Sequence, residues 1–206
     1  METNQQLYDE RLNRIKAAVA LDKPDRVPVV PLADSFCAVH MGVKLSEFCT
    51  NPVLSTEIIL KSFTSLGEVD GLQHVGFCAY NLSMLWLSKV KIFENKLWQM
   101  DEKELMKHEE YDTVINGGYN NFANDFYLNR LDNLGEKLKP FNQSVLWSFE
   151  ESKKLGIVPF SPLIFTIPYE AFCGARSMAK FMRDMVRTPD KVKEAMDAAM
   201  PEVVDN

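Results

Sequence analysis

Residues 21–32, LDKPDRVPVVPL, place a charged turn directly before a short apolar run, and this stretch decides the predicted fold. Residues 7–21 before the run carry apolar side chains on one face and charges on the other, a pattern typical of an amphipathic helix. Pro24 ends that helix, and a strand is predicted over 27–32. Because the strand is apolar throughout, we expect both of its faces to be covered, as in a parallel sheet or barrel. Pro28 and Pro31 lack an N–H and are expected to mark the ends of its paired part.

The chain then repeats the alternation of strand and helix. Asn51-Pro52 reads as a helix start and Gly67 as its end, and a second buried strand is predicted over 68–75. A third apolar strand is predicted over 157–166. Crossovers of this length imply parallel pairing, so the pattern indicates an α/β fold. Residues from about 82 to 135 are predicted to form an insertion of helices with a hairpin near 88–100, and helices are predicted over 177–205.

The composition restricts the classes of partner. The 206 residues are 46% hydrophobic and carry a net charge of −6, so a nucleic-acid or anionic membrane surface is not expected. No secretory leader or membrane span is recognised, and a cytoplasmic location is the expectation. The four cysteines and three histidines show none of the spacings of a metal motif, so no metal ligands are predicted.

Five segments in order resemble the uroporphyrinogen decarboxylase superfamily. They are RIKAAVALDKPDRVPVVPL (14–32), GVKLSEFCTNPVL (42–54), LGEVDGLQHV (66–75), the segment from LWQMDEKEL to GGYNNF (97–122), and MAKFMRDMVRTPDKVKEAMD (178–197). The resemblance implies a (β/α)₈ TIM-like barrel with its active site at the carboxyl ends of the strands. It implies that residues 1–206 correspond to the N-terminal half of such a barrel.

The resemblance separates two activities within that superfamily. Its decarboxylases carry arginines after the first strand to bind substrate carboxylates, whereas this chain has ADSFCAVHMG at 33–42. They also carry an aspartate after the second strand, where this chain has VGFC at 75–78, with Phe77 close to the aspartate's place. Both differences favour the methyltransferase-like members. For a complete enzyme of that kind, the resemblance implies zinc and a corrinoid, neither of which this half is predicted to hold.

Candidate site residues follow the predicted strands, where a barrel places its chemistry. Asp34 and His74 are the catalytic candidates, with an Asx turn and a satisfied core histidine as the respective alternatives. The candidate substrate-binding residues share the same kind of position and are Ser35, Gln73, Cys78, Tyr80, Asn81 and Tyr169. For Cys78 the alternative is a small buried apolar residue.

Three functional hypotheses remain open from the sequence. The first is methyl transfer between a small methylated substrate and a corrinoid protein or thiol. The second is decarboxylation of a tetrapyrrole of the uroporphyrinogen type. The third is a half-barrel without activity of its own, which leaves sheet edges and an apolar face to be covered by a homodimer partner or by a C-terminal partner chain.

Overall fold

The computed structural model describes residues 3–32, 34–160 and 166–205, of which 65% are helical. The α-helices of this part of the chain are α1 (Asn4–Val19), α2 (Ser35–His40), α3 (Leu45–Thr50), α4 (Pro52–Leu66), α5 (Tyr80–Trp86), α6 (Tyr111–Gly117), α7 (Tyr119–Asp125), α8 (Leu134–Lys154), α9 (Pro168–Arg176), α10 (Met178–Arg187) and α11 (Pro189–Val204). The strands are β1 (Gly71–Leu72), β2 (Val90–Lys91), β3 (Gln99–Met100) and β4 (Val158–Pro159). A 3₁₀ turn covers His108–Glu110 and a π-helical turn covers Phe126–Arg130.

The chain divides into two compact units. The first comprises residues 1–78, 93–97 and 139–164, and the second comprises residues 79–92, 98–138 and 165–206. Each unit has its own core. In the first unit the large buried side chains include Phe48, Ile59, Leu72 and Ile157.

A small parallel sheet forms the centre of the first unit. Strand β1 pairs in parallel with β4, with Gly71 opposite Val158 and Leu72 opposite Pro159. The extended segment 27–32 lies on the other side of β1, since the Gly71 and Gln73 amides donate to the Val29 and Pro31 carbonyls at 3.3 Å each. The three predicted strands therefore lie side by side in chain order, an arrangement compatible with an α/β fold in the broad sense.

The strands are shorter than the sequence predicts. Segment 27–32 is not a regular strand, because Pro28 and Pro31 have no N–H to donate to a ladder. The predicted strand 68–75 is regular only in β1, and the predicted strand 157–166 only in β4, with residues 161–165 of that prediction lying outside the described residues.

The expectation that segment 27–32 is covered on both faces is wrong. Val27 is 81% exposed, Val29 is 45% exposed and Leu32 is 56% exposed. Phe160, just after β4, is also 45% exposed. The apolar run is therefore not a fully buried strand. Several of its side chains are left uncovered by the described residues.

Helix α4 forms where the sequence predicts it. The side chain of Asn51 accepts a hydrogen bond from the Leu54 amide at 3.1 Å, Pro52 takes the first helical position, and Gly67 follows the last turn with φ 132°. Only glycine adopts that backbone angle readily, so the helix ends there. Its buried face includes Ile59 and Phe63, and the helix packs against α2 and α3.

The second unit is mostly helical. Within the segment predicted as a hairpin, β2 pairs antiparallel with β3, Val90 lying opposite Met100. Helices α6, α7, α9, α10 and α11 surround an aromatic core in which the ring of Phe172 contacts those of Tyr111, Tyr119 and Phe122 at centroid distances of 5.7–6.3 Å. Gly118, with φ 84°, separates α6 from α7.

Candidate functional site

Asp34 follows the extended segment 27–32, and His74 follows the neighbouring strand β1, which runs parallel to that segment in the first unit. Asp34 lies between segment 27–32 and α2, and His74 lies two residues beyond β1. Because parallel strands end at the same edge of a sheet, the two side chains belong to the same, carboxyl-terminal edge. The two side chains are also close enough to interact electrostatically, since a positive charge on His74 acts to lower the pKa of Asp34.

The carboxyl group of Asp34 is poorly compensated. It precedes α2 but makes no side-chain hydrogen bond to that helix, so it does not act as an N-terminal cap. Its Oδ1 atom is buried and has no hydrogen-bond partner among the described residues. Burial raises the pKa of Asp34, and the opposing effect of His74 is smaller. A carboxyl group held in this way is more easily protonated than an exposed one, which is a property of general acids and bases.

The loop after β1 is held firmly against α4. The Ser55 hydroxyl accepts a hydrogen bond from the Phe77 amide and donates to the Phe77 carbonyl oxygen, both at 2.8 Å. A Cβ at Gly76 would lie 2.7 Å from Oγ1 of Thr56, so only glycine allows this approach. Ser55 and Thr56 therefore fix the backbone at Gly76 and Phe77, just beyond His74. Sequence reasoning did not identify Ser55 or Thr56, although hydroxyls inside an apolar helical stripe are a visible signal.

Three cysteines of the first unit are buried near Asp34. Cys49 and Cys78 are each 1% exposed and Cys37 is fully buried. Burial raises the pKa of Cys49 to about 11, with further contributions from the charges of Asp34 and Cys78. Burial also raises the pKa of Cys37. Cys78, a substrate-binding candidate, is therefore a buried residue in the folded first unit.

The arginines of the first unit lie at the opposite edge of the sheet. Arg26 binds the fully buried Asp70 through two nitrogens at 2.7 and 2.8 Å, and Arg14 binds the same carboxylate at 2.5 Å. Arg11 donates to the carbonyl oxygen of Gly156 at 2.9 Å. Asp70 and Gly156 both precede their strands, so all three guanidinium groups are placed at the amino-terminal edge and serve the fold.

The remaining candidates lie in the second unit. Tyr80 and Asn81 begin α5, and Tyr169 belongs to the first turn of α9. The first unit thus contains Asp34, Ser35, Gln73, His74 and Cys78, and the structure brings the catalytic candidates Asp34 and His74 together. Tyr169 instead lines a cavity of the second unit, with Trp86, Glu102 and Cys173, none of which the sequence singled out.

The zinc implied by the resemblance finds no ligand set here. Within residues 3–32, 34–160 and 166–205, no three His, Cys, Asp or Glu side chains are arranged to hold a metal ion. The buried cysteines near Asp34 do not provide such a group.

No family model, no curated protein and no solved structure matches this chain. Among the described helices, none is both long and apolar enough to cross a membrane.

Proposed function

We propose that this chain forms part of a barrel enzyme that transfers a methyl group from a small methylated substrate to a corrinoid protein or a thiol. The observation that carries the proposal is the Asp34–His74 pair at the carboxyl-terminal edge of a parallel sheet. The resemblance to the uroporphyrinogen decarboxylase superfamily implies an active site at this same edge, because the barrel places its chemistry at the carboxyl ends of the strands.

The pair suits removal of a methyl group from a heteroatom. When the bond between the heteroatom and the methyl carbon breaks, the heteroatom keeps the electron pair and needs a proton. His74 in its protonated form is the donor in this proposal. Asp34, at the same edge of the sheet, supplies negative charge beside this donor when its carboxyl group is ionised. The methyl carbon passes to the nucleophile of the acceptor.

The position of the arginines supports methyl transfer over tetrapyrrole decarboxylation. A substrate with several carboxylates requires cationic side chains around it, and guanidinium groups are the usual choice. The three arginines of the first unit are engaged with Asp70 and with Gly156 at the other edge. Decarboxylation of uroporphyrinogen remains the alternative activity.

The test is a methyl-transfer assay with cob(I)alamin and a panel of methylated ethers, thioethers and amines. Formation of methylcobalamin that falls at least about 100-fold in His74→Gln is the expected result, since general acids contribute about 10²–10⁴-fold. His40→Gln is the matched control, because His40 lies in the same unit but away from the strand ends. Its Nε2 atom forms a hydrogen bond of 3.0 Å with the Ser65 hydroxyl. Absence of methylcobalamin across the panel contradicts the proposal, and coproporphyrinogen formed from uroporphyrinogen establishes the alternative.

The exposed apolar face of the first unit favours a second candidate, a half-barrel that is completed by another chain. Val27, Val29, Leu32 and Phe160 are each at least 45% exposed, and such a patch favours association. In this candidate, the exposed apolar side chains are buried by a second copy of the chain in a homodimer or by a C-terminal partner chain that supplies further strands. Light scattering separates the cases: a dimer that Val29→Lys dissociates supports self-association. A monomer at high concentration that binds no partner chain contradicts this candidate.

A further inference from the structure

The second unit contains a cavity of about 260 Å³ that the proposed methyl-transfer site does not include. Its walls come from the end of α5, from β3 and the residues after it, and from α9 with the first residue of α10. This volume is just below the range of about 300–1,000 Å³ for ligand pockets, so it fits a small molecule.

The cavity wall is largely apolar, and aromatic and thioether side chains contribute to it. They include Trp86, Tyr169, Met100 and Met178. Each of the two rings packs against another aromatic ring. The ring centroids of Trp86 and Trp98 are 6.3 Å apart, and Tyr169 makes an edge contact with Phe181 at a centroid distance of 5.0 Å. These aromatic faces are therefore set in place before any ligand enters.

The backbone around the cavity is also specifically constrained. The carbonyl group of Trp86 lies against Gly174 so closely that a Cβ at that glycine would collide with it. Ser177, also in the wall, has φ 66°, a left-handed value that residues with a side chain rarely adopt. Strained residues of this kind concentrate at binding and catalytic sites.

The charges at the cavity are negative. Asp101 is neutralised by Lys91 at 2.8 Å and by Lys103 at 3.4 Å. Glu102 and Glu170 also line the cavity, and neither forms an ion pair with a lysine or arginine within the described part of the chain. Glu170 accepts a hydrogen bond from the Thr166 hydroxyl at 3.0 Å, which leaves its charge uncompensated.

The half-buried thiol of Cys173 lies close enough to both carboxylates for their charges to act on it. Burial raises the pKa of Cys173, and the negative charges of Glu102 and Glu170 raise it further. Glu102 and Glu170 are both exposed residues of the cavity lining, so their negative charges lie at the mouth of the cavity and act on its thiol. A cation that entered would offset these negative charges.

We propose that the cavity binds a small organic cation that carries a methylated ammonium group. Aromatic faces and nearby carboxylates attract a cation, and the aromatic attraction is strongest when the cation is not hydrated. A primary ammonium group needs hydrogen-bond acceptors for three N–H groups, whereas the wall offers acceptors mainly at its carboxylates and is otherwise largely apolar, which matches a methylated ammonium group better. A quaternary or tertiary ammonium group exposes methyl groups, which the Trp86, Tyr169 and methionine walls can contact. The proposal concerns the second unit alone and stands independently of the Asp34–His74 chemistry.

Calorimetric titration of the full chain with choline and with its uncharged isostere, 3,3-dimethylbutan-1-ol, tests the proposal. Choline is expected to bind at least 10-fold more tightly than the alcohol, because the two probes share their shape and differ in charge. Equal affinities, or no binding of choline, overturn the proposal, and this comparison uses the unaltered protein.

Variants assign the binding to this cavity. The double variant Glu102→Gln with Glu170→Gln is expected to weaken choline binding at least 10-fold and to leave binding of the alcohol unchanged. Glu194→Gln, on the exposed side of α11, is the matched control and is expected to keep full affinity. Choline binding that the double variant does not change overturns the assignment, as does tighter binding of methylammonium than of tetramethylammonium.

Discussion

Substitution of Asp34 by asparagine is expected to stabilise the protein at neutral pH. Asp34 caps no helix, and its buried Oδ1 atom has no described hydrogen-bond partner, so asparagine removes a charge without removing a cap. Burial of an ionised carboxylate costs more than burial of the neutral asparagine amide, and attraction to His74 offsets part of that difference. The expected net gain is about 1 kcal/mol, which corresponds to a rise in Tm of about 2–4 °C for a chain of this size.

The gain depends on pH in a defined direction. Burial raises the pKa of Asp34 above its ordinary value of 3.8 in the folded protein. As the pH rises above about 4, the unfolded chain loses its proton from Asp34 first, and the wild-type protein loses stability until the folded carboxyl group ionises as well. The difference between Asp34→Asn and the wild type is therefore near zero at pH 3.5 and constant above the folded pKa.

Thermal and urea unfolding, followed by circular dichroism at pH 3.5, 5 and 7, measure this difference. Asp22→Asn is the matched control, because Asp22 is exposed, and it is expected to change Tm by less than about 1 °C at every pH. A loss of stability in Asp34→Asn at pH 7 would refute the reasoning. The same holds for a gain that does not shrink toward pH 3.5, since the carboxylate would then not be the source.

Three further substitutions test the framework of the two units by urea unfolding. Asp70→Asn should lower the free energy of unfolding by about 3–5 kcal/mol and weaken the loss of stability below pH 4, because ion pairs and hydrogen bonds lower the pKa of this buried carboxylate. Gly174→Ala should cost about 1–3 kcal/mol by collision with the Trp86 carbonyl group, while Gly135→Ala, which meets no atom within 4 Å, should be neutral or stabilising. Arg176→Gln should cost about 3–5 kcal/mol, because it leaves the buried Asp184 carboxylate without its cation, whereas Glu104 keeps Lys180. Unchanged unfolding midpoints in these variants would contradict the corresponding contacts.

Local structure was predicted best where the properties of a few neighbouring residues determine it. Helix α4 starts at Asn51-Pro52 and ends before Gly67 because capping and backbone freedom are properties of the residues themselves. The short strand segments near 30, 71 and 158 also lie where apolar runs between turns predicted them. The lengths of the strands were overestimated, since prolines interrupt their hydrogen bonding.

Burial was harder to predict than secondary structure. The run VPVVPL is apolar at every position, yet Val27 and Val29 are exposed, because burial depends on what packs against a strand and not on the strand alone. The cavity of the second unit was missed for a related reason. Trp86, Glu102 and Cys173 are far apart in sequence, and no spacing rule connects residues that only tertiary packing assembles.

The sequence by itself determined the alternation of strands and helices, the helix ends, and the positions of Asp34 and His74 after successive strands. These features depend on local sterics, capping and hydrophobic periodicity, all of which act over a few residues. Only the tertiary structure decided that Asp34 is a poorly compensated carboxyl group near His74, that every arginine of the first unit serves the opposite sheet edge, and that two carboxylates line a largely apolar cavity. Electrostatic environment and burial arise from residues distant in the chain, and they exist only once the chain is packed.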